Sequence, residues 1–239
     1  MSAISGAYDW LTTGANWQGE KGVWHRLAEH LYFSGVTLAV SCLIALPLAL
    51  WLGHIGKGGG LAVNISNAGR AVPTLAVLVL LTLTPLGRHG DLPTFIALVL
   101  FAVPPLLTNA YIGMREVDRA VVEAARGMGM SGGQVFRRVE LPLAYPMVMT
   151  GIRLAAVQVI ATATLAAMAG KGGLGRIITA GFNLQDTPQV VAGAVLVALL
   201  ALLVEGVLAG AGRVLNPSPS SRLRSSRGGP NPGRSGAAR

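Results

Sequence analysis

The 239-residue chain is 52% hydrophobic and 12% charged with a mean hydropathy of +0.57; soluble domains carry about 25% charged residues, so the composition excludes that class and points to a membrane protein. The net charge of +9 is concentrated in polar loops and a C-terminal tail, with few aromatic residues, which argues against a nucleic-acid partner. The one cysteine, Cys42, allows neither an internal disulfide nor a cysteine metal cluster and reads as a small apolar residue.

In chain order, MSAISGAYDW lacks the basic start of a signal peptide, and residues 1–30 read as an extracytoplasmic segment. A bilayer core of ~30 Å needs roughly 20 apolar residues per helix. Five blocks meet or approach that length: 31–53, 71–87, 92–113, 145–170 and 189–212. The second is short and leaves room for re-entrant structure. The spacing predicts an all-α, polytopic membrane protein with about five transmembrane helices and a membrane domain over 31–212. Prolines 47, 73, 85, 104 and 105 lie in or beside the spans, and each removes a backbone donor that neighbouring helices or water must replace. The tail, 213–239, is almost free of apolar residues and is expected to be disordered and basic.

Five spans put the termini on opposite sides. With the N-terminus outside, thirteen Lys and Arg residues fall in the inner loops and tail and five in the outer ones. The positive-inside rule selects this orientation, which makes the loop 115–144 cytoplasmic.

That loop predicts two short helices with a break. REVDRAVVEAARGM holds good helix formers, with Val121, Val122 and Ala125 near one face. Gly127 and Gly129 end the first helix. Ser131 with Gln134 forms a capping box for the second. Val135 and Val139 lie four apart, and the helix is expected to stop before Pro142. Such an elbow can dock into a soluble partner or lie on the lipid surface. For docking, Ala124 and Ala125 permit close approach and Glu123 offers a carboxylate.

The spacing separates these readings. Glu123-Ala124-Ala125, three residues, Gly129, nine residues, Val139, one residue, and Leu141-Pro142 resembles the EAA loop of binding-protein-dependent ABC importer permeases, with valine in place of isoleucine. The resemblance extends from about Trp24 to Glu205. WHRLAEHLYFSGVTLAV with LPLAL, NAGRAVPTLAVLVLL, Pro104-Pro105-Leu106 with Asn109, Tyr111 and Gly113, and AGKGGLGRIITAG are similar to the glycine betaine, carnitine and choline branch. In the last of these, Arg176 stands where an acidic residue is frequent, and methionine-type permeases share several of the motifs.

The resemblance implies a type I ABC importer permease fold in the bacterial cytoplasmic membrane. The coupling positions would be Glu123, Ala124, Ala125, Gly129, Val139, Leu141 and Pro142. The partners would be two ATP-binding subunits, an extracytoplasmic binding protein, a second permease copy (identical or a paralogue) and membrane lipid. The cargo would be a compatible solute such as glycine betaine, choline, carnitine or proline betaine. The chain itself would be no enzyme and bind no cofactor, with ATP and Mg²⁺ on the partner. A methionine-like or other small-zwitterion importer is the alternative, followed by a membrane scaffold. Ion-driven transport would call for inverted repeats and several buried carboxylates.

Other patterns carry less. Gly127, Gly129 and Gly132 spell G-x-G-x-x-G without the strand a dinucleotide fold requires, and Gly56-Lys57 and Gly170-Lys171 lack the rest of a P-loop. His25, His30, His54 and His89 are not at metal-ligand spacing and read as interfacial or solvated. Gly206 and Gly210 form G-x-x-x-G, a spacing that lets helices pack closely. Polar groups at membrane depth are costly. Asn109, Gln158 and Glu205 therefore read either as pathway residues or as interhelix contacts, and Arg153 as a side chain that snorkels to the cytoplasmic surface. Trp and Tyr are scarce in the spans. A quaternary ammonium is usually held in an aromatic cage, so selectivity is expected to lie in the binding protein.

Overall fold

The computed structural model describes residues 3–60, 64, 67, 69 and 73–215, and those residues are helical apart from short connections. Helix α1 spans Ala3–Thr12, α2 Val23–Ile55, α3 Thr74–Leu83, α4 Leu92–Arg115 and α5 Arg119–Gly127. A single turn, Gly132–Val135, and a π-helical turn, Phe136–Glu140, lead into α6, Leu141–Ala163. Helix α7 spans Gly175–Leu184 and α8 Thr187–Leu215. Among the described residues four helices are long and apolar enough to cross a membrane, and Thr74–Leu83 is a shorter apolar helix. Residues 71 and 72 of the expected second span, and the tail from 216 onward, lie outside the described residues.

The first span begins at Val23, eight residues before the expected Leu31. The polar turn HRLAEH stays helical because its charges answer one another. The Arg26 guanidinium donates to Glu29 Oε2 at 2.8 Å, and His25 lies 3.5 Å from Glu29 Oε1. The residues before it are also structured. Trp17 Nε1 donates to the Leu11 carbonyl at 2.7 Å, and α1 rests on the start of α8, where a Cβ at Gly6 would meet Pro188 Cγ at 2.7 Å. At the other end, α8 continues through Arg213 and Val214 to Leu215, past the expected end of the span at 212. Val214 and Leu215 carry the apolar run of α8 past Arg213.

Helices α2, α4 and α6 form the central packing unit. Ala45, Ala49, Leu106, Leu107, Ala110, Met114, Ala144 and Ala155 make one buried core. Small residues set the helix separation: a Cβ at Gly53 would meet Met114 Cβ at 2.4 Å, and one at Gly151 would meet Asn109 Cβ at 2.8 Å. No described atom lies within 4 Å of a Cβ built at Gly206 or Gly210, so among the described residues their G-x-x-x-G brings no helices together.

A second core joins Val23, Ile160, Leu174, Ile177, Val197 and Leu200 at the opposite end of the bundle. There the glycine-rich turn after α6 is clamped by α2. The Gly173 N–H donates to Glu29 Oε2 at 2.8 Å, and buried His30 pairs through Nε2 with the Ile160 carbonyl at 3.0 Å. His30 is therefore a packed interhelix contact and not the interfacial residue its sequence neighbours suggest.

Candidate functional site

Helix α4 ends at Arg115, and the chain turns through Glu116, Val117 and Asp118 before α5 begins. The expected start of α5 at Arg115 moves to Arg119 because Asp118 caps it, with Oδ1 accepting the Ala120 N–H at 2.9 Å. Buried Val122 and Ala125 face the central core beside Val117, Met114 and Val135. Burying a side chain the size of valine contributes about 1.5–3 kcal/mol, so this face anchors the short helix. Glu123, Ala124 and Arg126 lie on the exposed face. Two expectations change here. Val121 is exposed and does not share the inner face of Val122 and Ala125, and Ala125 points into the protein, so only Ala124 of the pair is open to close approach.

The end of α5 is closed by its glycine. Gly129 has φ +85°, its N–H donates to the Arg126 carbonyl at 2.9 Å, and the Met130 N–H reaches back to the Ala125 carbonyl at 3.2 Å. These two bonds make a Schellman motif, which needs a left-handed residue at that position. Across the turn, the Ser131 N–H donates to Gln134 Oε1 at 2.8 Å, the backbone-accepting half of a capping box. Buried Val135 then pins the second limb to the core that holds Val122 and Ala125.

The second limb does not stop before Pro142. It passes through the π-helical turn directly into α6, with the Leu141 N–H donating to the Phe136 carbonyl five residues back. The wider turn shifts the hydrogen-bond register where Pro142 lacks a donor and its ring would crowd the preceding turn. The elbow is thus a rigid extension of α6: residues from Gly132 to Ala169 form one 38-residue helical stretch. Val139 and Leu141 are half-buried along it and Pro142 is exposed.

Glu140, absent from the expected site, is 1% exposed. It pairs with His54 Nδ1 at the end of α2 and lies 4.0 Å from Arg119 Nη1 at the start of α5. His54 also packs edge-on against Phe136, with ring centroids 5.4 Å apart. One carboxylate therefore links α2, α5 and the π turn, and His54 is a partner in that link instead of a solvated histidine. Its signal in the sequence is faint: Glu140 follows Phe136 by four residues and so shares its face of the helix.

The remaining polar candidates sit deeper in the bundle. Asn109 Nδ2 donates to the Pro105 carbonyl at 2.8 Å, within α4. Gln158 Nε2 donates from α6 to the Phe101 carbonyl at 3.3 Å. Glu205 on α8 accepts from Arg153 on α6, with Nε at 3.0 Å from Oε1. Arg153 therefore does not snorkel, since an opposite charge waits at its own depth on the adjacent helix. The site thus divides in two. Glu123, Ala124, Ala125, Gly129, Val139, Leu141 and Pro142 gather on one elbow at one end of the bundle, and Asn109, Gln158 and Glu205 lie within the spans.

Among the described residues, no group of three or more His, Cys, Asp or Glu side chains is placed to hold a metal ion. The elbow presents an exposed, mixed-charge face on a rigid, core-anchored support.

Residues 45–217 match the family described as binding-protein-dependent transport system inner membrane component. The chain is 38% identical over 200 residues to the choline transport system permease protein OpuBB of Bacillus subtilis (strain 168), covering 84% of this chain and 91% of that protein. It is 37% identical over 193 residues to the glycine betaine/carnitine/choline transport system permease protein OpuCB of the same organism, covering 81% and 88%. Among solved structures, a chain of the MetNI methionine ABC transporter in an inward-facing conformation superposes with a TM-score of 0.66 at 22% identity, covering 80% of this chain and 95% of that one.

Proposed function

The chain belongs to the family of binding-protein-dependent transport system inner membrane components, and we propose that it is the permease subunit of an ATP-driven importer that carries a compatible solute such as glycine betaine, choline or carnitine across the plasma membrane. The observation that carries the mechanism is the elbow. Helix α5 is held from beneath by Val122 and Ala125 and turns Glu123 and Ala124 outward. Among the described residues Glu123 has no ion pair, so its carboxylate is available to a basic group on a docked subunit.

In this reading the elbow lies in the cytoplasm and the N-terminus outside, as the thirteen-to-five distribution of Lys and Arg favours. An ATP-binding subunit receives α5, and ATP and Mg²⁺ act there. Closure of two such subunits pushes on α5. The Glu140 link passes that displacement to α2, and the continuous helix beyond the π turn passes it to α6. A second permease copy completes the pathway, and an extracytoplasmic binding protein delivers the solute. Gly129 sets the angle between the limbs of the elbow, while Val139, Leu141 and Pro142 set its re-entry into the bundle.

The compatible-solute reading is favoured over the methionine alternative by the relatives. Those at 37–38% identity are named for choline, glycine betaine and carnitine, whereas the methionine transporter shares the fold at 22% identity. The test is uptake of labelled glycine betaine at high osmolarity in cells with and without the chain, other betaine importers having been deleted. Uptake that depends on the chain and resists competition by methionine supports the reading. Uptake unchanged by removing the chain rejects the substrate.

A further inference from the structure

Arg153 and Glu205 are about a third exposed, at 36% and 32%, although they stand on membrane-spanning helices. Arg153 lies eight residues beyond Tyr145, where the expected span begins, which at 1.5 Å per residue is ~12 Å along α6 and inside a ~30 Å hydrocarbon core. A charged pair open to lipid at that depth is costly.

This pair instead opens onto a groove of about 520 Å³ between α6 and α8, lined also by Leu154, Val157, Gln158 and Ala161. That volume falls in the ~300–1,000 Å³ range typical of small-molecule sites. A second cavity, of about 250 Å³, shares Thr150 and Arg153 with the groove and extends it toward Arg213 at the elbow end. Together they form a furrow that carries a charge pair partway across the membrane domain.

Resting on the import reading above, we propose that this furrow is a transit site for a zwitterionic solute, with Arg153 taking its carboxylate and Glu205 its quaternary ammonium. The guanidinium already points two donors, Nε and Nη2, at a single oxygen of Glu205, and that fork matches a solute carboxylate equally well. A quaternary ammonium has no N–H and needs only a counter-charge and apolar contact, which Glu205 supplies beside Leu154, Val157 and Ala161. Exchanging the internal pair for two solute pairs leaves every charge matched. A purely cationic solute would leave Arg153 unmatched and so passes less readily. The lining contains no aromatic cage, so the solute is held weakly, as transit requires.

The test uses the whole importer in proteoliposomes, with its ATP-binding subunits and binding protein. In a Cys42→Ala background, Ala161→Cys should react with a membrane-impermeant thiol reagent, and glycine betaine with its binding protein should slow labelling at least fivefold while methionine does not. Leu43→Cys, on an exposed face of α2, should stay inert. In parallel, Arg153→Gln should lower glycine betaine uptake tenfold or more and raise the choline-to-betaine uptake ratio, while Glu205→Gln lowers uptake of both. A purely structural pair would show equal losses for both solutes in both variants, with restoration by the Arg153→Glu/Glu205→Arg exchange; that pattern overturns the proposal, as does an Ala161→Cys thiol as inert as that of Leu43→Cys. Failure of the unmodified importer to move either solute overturns the import reading itself, and the transit site falls with it.

Discussion

Gln158 reaches across from α6 and donates to the Phe101 carbonyl at 3.3 Å, the acceptor that Pro105, four residues on, cannot serve because it has no N–H. A proline in a membrane helix leaves such a carbonyl to its surroundings, and here a side chain of the adjacent helix supplies the donor. The same bond ties α4 to α6 at the height of the proline pair. Gln158→Leu should therefore destabilise the protein by about 0.5–1.5 kcal/mol, the range for an interhelix hydrogen bond in a membrane protein. Thermal unfolding in detergent measures it; an unchanged midpoint would show that the carbonyl finds another donor.

Gly129 is required by backbone geometry and not by space. Its φ is +85°, and no described atom lies within 4 Å of a Cβ built on it. Gly129→Ala should cost ~1–2 kcal/mol, the penalty of a left-handed residue bearing a Cβ, and Gly129→Asn less. Hydrogen exchange across 119–141 should rise in the order Gly, Asn, Ala.

The opposite case is Gly53, where a Cβ would stand 2.4 Å from Met114 Cβ in the contact between α2 and α4. Gly53→Val should overpack that contact at a cost of ~1–3 kcal/mol. Combining it with Met114→Gly, which removes that Cβ, should recover part of the loss. Equal melting points for the single and double variants would contradict a steric cause.

Glu140 binds the elbow to the end of α2. In Glu140→Ala, His54 and Arg119 lose a buried carboxylate, but both retain access to water, so the loss should be about 1–3 kcal/mol and confined to the elbow. Limited proteolysis between Arg115 and Arg138 should accelerate while the cores of α2 and α4 stay protected. Uniform acceleration throughout the chain would contradict a local link.

The contrast between Glu123 and Glu140 shows what the sequence could and could not reveal. Glu123 belongs to a pattern of fixed spacing within one segment, and a single chain suffices to read it. Glu140 looks like one more charge beside an arginine pair, because its partner His54 lies 86 residues away. His30 and Ile160, 130 residues apart, are hidden in the same way. The apolar blocks were legible because membrane helices must be long and apolar. Their ends were not: the polar turn at the start of α2 is neutralised by its own Arg26 and Glu29, and the helix at Pro142 survives by a change of hydrogen-bond register that no local propensity announces.

We propose that α5 couples this chain to a separate ATP-binding subunit. The most direct test is Glu123→Arg in the importer reconstituted with its ATP-binding subunits and binding protein, with uptake and solute-stimulated ATP hydrolysis measured together. Glu123 is exposed and has no ion pair among the described residues, so the variant should fold and melt like the parent. Uptake and stimulated hydrolysis should both fall at least tenfold. A variant that assembles, transports and stimulates hydrolysis at the parental rate would contradict the coupling role.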